Sequence, residues 1–216
     1  MTPPKTIFSP DTRRAERLPP NQVLARTWPV LHWGDVPVFD PATWDLTVFP
    51  VPLVDAVATI GWPDFQTLPR VRVLADMHCV TRWSQLDNHW EGVSTGELLT
   101  RVAVAPAAKF VMVHCEHGFT TNLPIGDFFD GDSLFALRHN GEDLAPDHGY
   151  PVRLVIPKLY AWKSAKWIRG IEFMAEDRPG FWESPEHGGY HRRGDPWAEE
   201  RRESRTDESL GLAPGT

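Results

Sequence analysis

The chain has 216 residues, 41% of them hydrophobic, which is enough to bury a core in one large domain or two small, closely packed ones; a single domain is the simpler reading. Its formal charge of −7 excludes a general binder of nucleic acid or anionic membrane, so any anion site has to be local. Two cysteines make no disulfide framework, Met1 to Pro20 carries Arg13-Arg14 with no apolar run behind it, and no transmembrane segment appears, a combination that points to a reducing cytoplasm.

Ten tryptophans and 21 prolines suit short strands and ordered loops better than long helices. Residues 1–21 are polar and proline-bearing and read as a mobile arm or a surface strap, 22–201 as the domain, and 202–216 as a frayed tail. Between Val23 and Pro41, Trp28 and Trp33 gather around His32; Trp44 to Val48 then alternates as a strand should. Asp64 to Leu68 reads as a short helix stopped by Pro69. Val71, Val73 and Ala75 alternate with Arg72 and Leu74, a half-buried strand that delivers Cys79 to a turn edged by Thr81, Arg82, Trp83 and Ser84. An electropositive turn favours thiolate, the form that binds a soft metal or attacks an electrophile. Taken alone, though, a lone intracellular cysteine is more often an inert, buried small hydrophobe.

Ser94 stands three residues before Glu97, a capping-box pattern for a second short helix. Lys109 to Val113 is a core strand running into His114-Cys115-Glu116-His117, and Ile125 to Phe135 is a connection with a short helix. Asn140-Gly141 makes a tight turn. The apolar run Val152 to Pro157 is broken by Arg153, and a buried arginine needs an anion. Trp167 to Phe173 reads as a strand with one wet face. Beyond Asp177-Arg178-Pro179-Gly180, Phe181, Trp182, Tyr190 and Trp197 form an aromatic strap, and His89, His139, His187 and His191 read as surface or strap residues.

The stretch from Cys79-Val80-Thr81-Arg82-Trp83-Ser84 through Leu86-Asp87-Asn88 to Trp90-Glu91-Gly92-Val93 resembles the metal-binding loop of sulfite-oxidase-like molybdopterin oxidoreductases. A second block is similar to that family's cofactor-binding half: Asn140-Gly141-Glu142-Asp143-Leu144, Asp147-His148-Gly149-Tyr150-Pro151-Val152-Arg153 and Trp162-Lys163-Ser164-Ala165-Lys166-Trp167. The two stand in the family's order, and the resemblance runs from about Leu18 to about Arg201. It implies an α+β fold of mixed β-sheets with short helices and a Mo-molybdopterin cofactor. On it, Cys79 is the sulfur ligand of the metal, and His148 and Arg153 are the pterin-contacting pair. Ser164, Ala165 and Lys166 match the segment whose backbone donors and lysine hold the same cofactor. His32 falls on a segment that lies along the pterin, and Cys115 on a further, variable contact. Physically, the arginine offers a planar donor fork, the lysine a point charge, and turn N–H groups an anion nest. Arg82 and Trp83 follow Cys79 closely enough to line the open face of the metal, where Arg82 would attract an oxyanion.

The expected chemistry is oxygen-atom transfer to or from a small oxo-compound. The chain carries no haem signature and no room for the extra dimerisation domain of larger enzymes, so a separate protein is the expected electron partner. Where sulfite oxidases carry Leu-Ala-Tyr before the Asn-Gly turn, this chain has Leu134-Phe135-Ala136-Leu137-Arg138, and Leu137 cannot donate a hydrogen bond. That departure disfavours sulfite and leaves a reductase of sulfoxides or similar oxo-compounds as the alternative. From other classes come a non-catalytic cofactor-binding module and a zinc-stabilised domain. In the latter, His78, Cys79, His114, Cys115 and His117 would supply a Cys2His2 site, with a spacing that matches no recognised finger.

Overall fold

The computed structural model describes residues 4–49, 53–55, 57–187 and 196–197. In chain order the strands are β1 Lys5–Phe8, β2 Val23–Leu24, β3 Asp45–Val48, β4 Ala58–Gly61, β5 Val71–His78, β6 Trp83–Ser94, β7 Phe110–Cys115, β8 Thr120–Pro124, β9 Leu134–His139, β10 Glu142–Asp143, β11 Arg153–Val155 and β12 Ile168–Met174. The α-helices are short, α1 Trp62–Gln66 and α2 Ile125–Phe128, and are joined by several 3-10 turns. This is the expected α+β architecture of mixed sheets.

One sheet has the order β1-β5-β6-β9-β10, with β11 also paired to β9 and β2 to β6; the other runs β4-β3-β12-β7-β8. Their hydrophobic faces are set by the two-residue period of a strand. On β7, Val111, Val113 and Cys115 join the main core with Ile171 and Phe173 of β12. On β5, Val73, Ala75 and Met77 form a second cluster with Trp90, Leu134, Ala136 and Val155. Leu154 belongs to the first core and Val155 to the second, so β11 is apolar on both sides. Arg153, two residues before Val155, shares its face and pairs in register with Ala136. The lone charge in that apolar run is thereby aimed at the side of the sheet where β5 ends.

The N-terminal segment, expected as a mobile arm or strap, is paired into the sheet. Lys5–Phe8 run parallel to Val71–Leu74, and Ser9 N donates to Leu74 O at 2.9 Å. Arg17 then grips Asp76 through Nε at 2.9 Å and Nη2 at 2.5 Å, and reaches Asp87 at 2.8 Å. Four residues of mixed polarity are too short a run to show a strand pattern, and pairing with β5 supplies what the pattern lacks. Thr95–Thr100 is a 3-10 turn with half of the expected capping box: Ser94 Oγ accepts from Gly96 N at 3.3 Å, while Glu97 accepts from Thr100 at 3.2 Å instead of reaching back. The aromatic strap is seen in Phe181–Glu183 and Pro185–His187 and in Trp197, whose ring lies 6.2 Å from that of His78. Tyr190, His191 and the tail expected at 202–216 lie outside the described residues.

Candidate cofactor site

Strand β5 hands the chain to a four-residue turn closed by Cys79 N donating to Trp83 O at 2.8 Å and Arg82 N to Cys79 O at 2.9 Å. Arg82 takes the left-handed corner of this turn, at φ 67°. Cys79 is 6% exposed and its sulfur accepts a hydrogen bond from Thr81 Oγ1 at 3.1 Å. Beside it opens a predominantly apolar cavity of about 350 Å³, a size suited to a small organic ligand. Its wall includes Met77, Cys79, Val80, Thr81 and Trp83 from the turn, Arg153 from β11, and Ser164, Ala165, Lys166 and Trp167 from the segment before β12. Trp28, His32 and Trp33 close another side, and Phe119, Trp162 and Trp182 complete the aromatic lining.

Most of the expected residues are brought together here. Arg153 is 2% exposed; Nη1 donates to His148 O at 3.0 Å and Nη2 to Ser164 O at 2.9 Å. Among the described residues its Nε has no hydrogen-bond partner and no carboxylate pairs with it. Burial alone pulls this guanidinium down to about 9. Lys166 Nζ donates to Asp147 O at 2.6 Å and Leu31 O at 2.9 Å, and burial, with Arg153 adding to it, brings its pKa down to about 7. Ser164 and Ala165 are held by main-chain bonds: Ser164 Oγ accepts Ile156 N at 3.0 Å and Ala165 O accepts Leu154 N at 2.7 Å. His148 stacks on Trp28 with ring centroids 3.7 Å apart; burial first, then Lys166 and Arg153, lower it to about 4, so the ring is neutral at pH 7. Its Nδ1 is buried without a hydrogen-bond partner among the described residues. His32, exposed at the rim, places Nδ1 3.0 Å from Gly34 O and its ring edge-on to Trp167.

Three expectations are corrected by the geometry. Arg82 does not lower the pKa of Cys79: burial raises it, and the opposing influences are the Thr81 hydroxyl and the N–H groups of Thr81 and Val80. Arg82 is exposed and outside the cavity wall, whereas Trp83, next in the chain, turns inward. Cys115 faces away from the cavity, because the alternation of β7 puts it with Val111 and Val113 in the inter-sheet core, where burial pushes its thiol up. The zinc reading fails with it: His114 bonds Glu172 at 3.0 Å, and no three His, Cys, Asp or Glu side chains gather into a metal-holding group among the described residues. Lys163, inside the same motif as Ser164, Ala165 and Lys166, is 2% exposed and ties Asn122 to Glu183.

Sequence reasoning also missed contributors. His139, taken for a surface residue, sits against Trp28 and Trp90, donates its Nε2–H to Asn88 Oδ1 at 2.8 Å, and is lowered by burial to about 4. Trp28 holds the cluster together, with Arg153 5.2 Å above its ring. The tryptophan count was the available signal, but which indoles converge depends on pairing between distant segments.

A cavity that collects a thiol, a buried guanidinium lacking an anion and an ammonium under aromatic walls defines a protein that holds an anionic cofactor with affinity for sulfur. The donor set fits molybdopterin: Arg153 Nε, on the cavity wall, and His148 Nδ1, on the ring stacked against the cavity-lining Trp28, are polar groups without a partner among the described residues, and Gly149 leaves room beside Arg153 and Lys166 that a side chain would fill. At φ 111° its added Cβ would lie 2.9 Å from Arg153 Cβ and 3.2 Å from Lys166 Cβ. The chain belongs to the oxidoreductase molybdopterin-binding domain family, whose model matches residues 33–182. It is an oxidoreductase of that family, and its cofactor is Mo-molybdopterin. It is 49% identical over 186 residues, 86% of this chain and 91% of the relative, to an uncharacterised oxidoreductase, YuiH, of Bacillus subtilis. It is 28% identical over 180 residues, 72% of this chain, to the protein-methionine-sulfoxide reductase catalytic subunit MsrP of Campylobacter jejuni, of which it spans 58%. Among solved structures it resembles the sulfane dehydrogenase SoxCD of Paracoccus pantotrophus, with a TM-score of 0.60 and 22% identity over 70% of this chain and 42% of that one; this likeness is one of fold. No helix among the described residues is long and apolar enough to cross a membrane.

Proposed function

We propose that the chain catalyses oxygen-atom transfer at a molybdenum centre ligated by Cys79, acting as a reductase of neutral oxo-compounds such as sulfoxides. When bound, the cofactor supplies a two-electron redox change and a site that accepts or gives oxygen. In the reductive direction a sulfoxide, two electrons and two protons become a thioether and water, and a separate electron-transfer protein supplies the electrons. Cys79 would provide the soft thiolate ligand. Arg153, Lys166 and His148, with the turn at Ser164-Ala165, would grip the pterin and its phosphate.

The observation that carries the reading is the juxtaposition of Cys79 with Arg153 and Lys166 across one cavity. The wall around them favours a neutral substrate: both cations are spoken for by the cofactor in this reading, and the rest of the lining is predominantly apolar, with six tryptophans, Phe119 and Met77, side chains that pack well against sulfur. The relation to a methionine-sulfoxide reductase subunit supports the same direction. The two free, buried thiols suit a reducing compartment, and we place the protein in the cytoplasm on that ground, to be checked by cell fractionation.

The test is chemical. Protein from a host that makes the pterin should carry molybdenum and pterin in equal amounts and reduce dimethyl sulfoxide or methionine sulfoxide with a dye donor. Cys79→Ser should abolish that turnover while keeping the fold, and full activity in this variant would refute the ligand assignment.

A further inference from the structure

The family match begins at residue 33, yet the segment ahead of it enters the site from behind. Gln22 is 8% exposed, and its Nε2 donates to the carbonyl oxygen of Cys79 at 2.9 Å. That same oxygen accepts the Arg82 N–H, so it closes the turn and holds the glutamine at once. The other end of the amide, Oε1, accepts from Ser84 Oγ at 3.1 Å, and Ser84 Oγ lies 2.8 Å from His78 Nδ1. Ser84 and His78 are fully buried. The backbone follows the side chain: Val23 N donates to Arg82 O at 3.0 Å and Ala25 N to Ser84 O at 2.8 Å. One buried amide therefore spans the turn from Cys79 to Ser84, with a donor on one flank and an acceptor on the other.

A primary amide out of water requires partners for both its ends, and a glutamine that finds them on the two flanks of a ligand turn couples those flanks rigidly. Residues that hold a ligand's backbone, without touching the metal, decide where its sulfur points. We infer that Gln22 is a positioning residue for Cys79, so that the catalytic site extends into the N-terminal segment outside the matched domain. This rests on the reading of Cys79 as the metal's ligand. Without Gln22 the Arg82 N–H still closes the turn, so the hairpin persists and only its orientation loosens.

The test uses the full chain. In protein made without cofactor, Gln22→Met raises deuterium exchange of residues 79–84 about tenfold, the worth of one hydrogen bond, and leaves β7 and β12 unchanged. In the loaded enzyme it alters the electron paramagnetic resonance spectrum of the half-reduced metal and lowers kcat with KM unchanged. Gln22→Ala also removes both bonds; it shows the same changes, and it replaces Gln22→Met if that variant does not fold. Unchanged exchange at 79–84, exchange raised equally across the chain, or faster exchange with an unaltered metal spectrum each overturns the inference. The ligand reading fails separately, if Cys79→Ser keeps the wild-type metal spectrum.

Discussion

Lys166 sits where two backbone carbonyls hold its ammonium while Arg153 repels it, and with its pKa near 7 the proposed grip on an anion would be pH-dependent. The cause is burial first and the Arg153 charge second. An incoming phosphate favours the protonated lysine and raises its pKa, so binding takes up a proton once the free site has begun to lose it. Affinity for the pterin should therefore be full below pH 7 and decline as pH rises from 7 toward the ordinary lysine value of 10.5. Lys166→Met should bind more weakly, with that slope removed; retention of pterin fluorescence across pH 6–9 measures both. Gly149 packs against the backbone ends of both Lys166 and Arg153. Gly149→Ala combines an unfavourable φ with a Cβ contact that Arg153 cannot relieve by rotating. We expect a loss of about 2 kcal/mol in denaturant unfolding, together with reduced molybdenum content.

At the scale of the element, the β5–β6 hairpin is the part on which the site depends. Its outer flank is stapled by Arg17, and its inner flank pairs with β9 across a bulge between Glu91 and Gly92. At Gly92 the neighbouring backbone comes so close that a Cβ would stand 2.0 Å from Phe135 O. Gly92→Ala should cost at least about 3 kcal/mol and disorder β9 along with the hairpin, read as a lower unfolding midpoint in urea. Much of this element is legible in the chain. Alternation from Val71 to Ala75 marks the strand, and its end marks the turn. Arg153 is equally legible, because one charge inside an apolar run has to be met by something. Arg82 is less so: spacing places it beside Cys79, but the left-handed corner of the turn carries it to the surface.

Across the whole molecule, what the sequence conceals is the set of contacts between segments far apart in the chain. Cys115 lies next to plausible ligands in order, yet its parity on β7 assigns it to the core. Parity is readable only once the strand's ends and its buried face are known. Lys5–Phe8 give no strand signal of their own and become one by lying against Val71–Leu74. The stacking of His148 on Trp28 brings together two stretches that nothing local connects. The family motifs, by contrast, carry the cavity's polar members almost complete, because each needs a fixed chemical type at a fixed position.

Six of the ten tryptophans surround that cavity, and this gives the chain an optical property of its own. A conjugated ring lodged among these indoles accepts their excitation over van der Waals distances. Ultraviolet emission should therefore be several-fold dimmer in the loaded protein and brighten when warming expels the ring, which lets the protein report its own occupancy without a label.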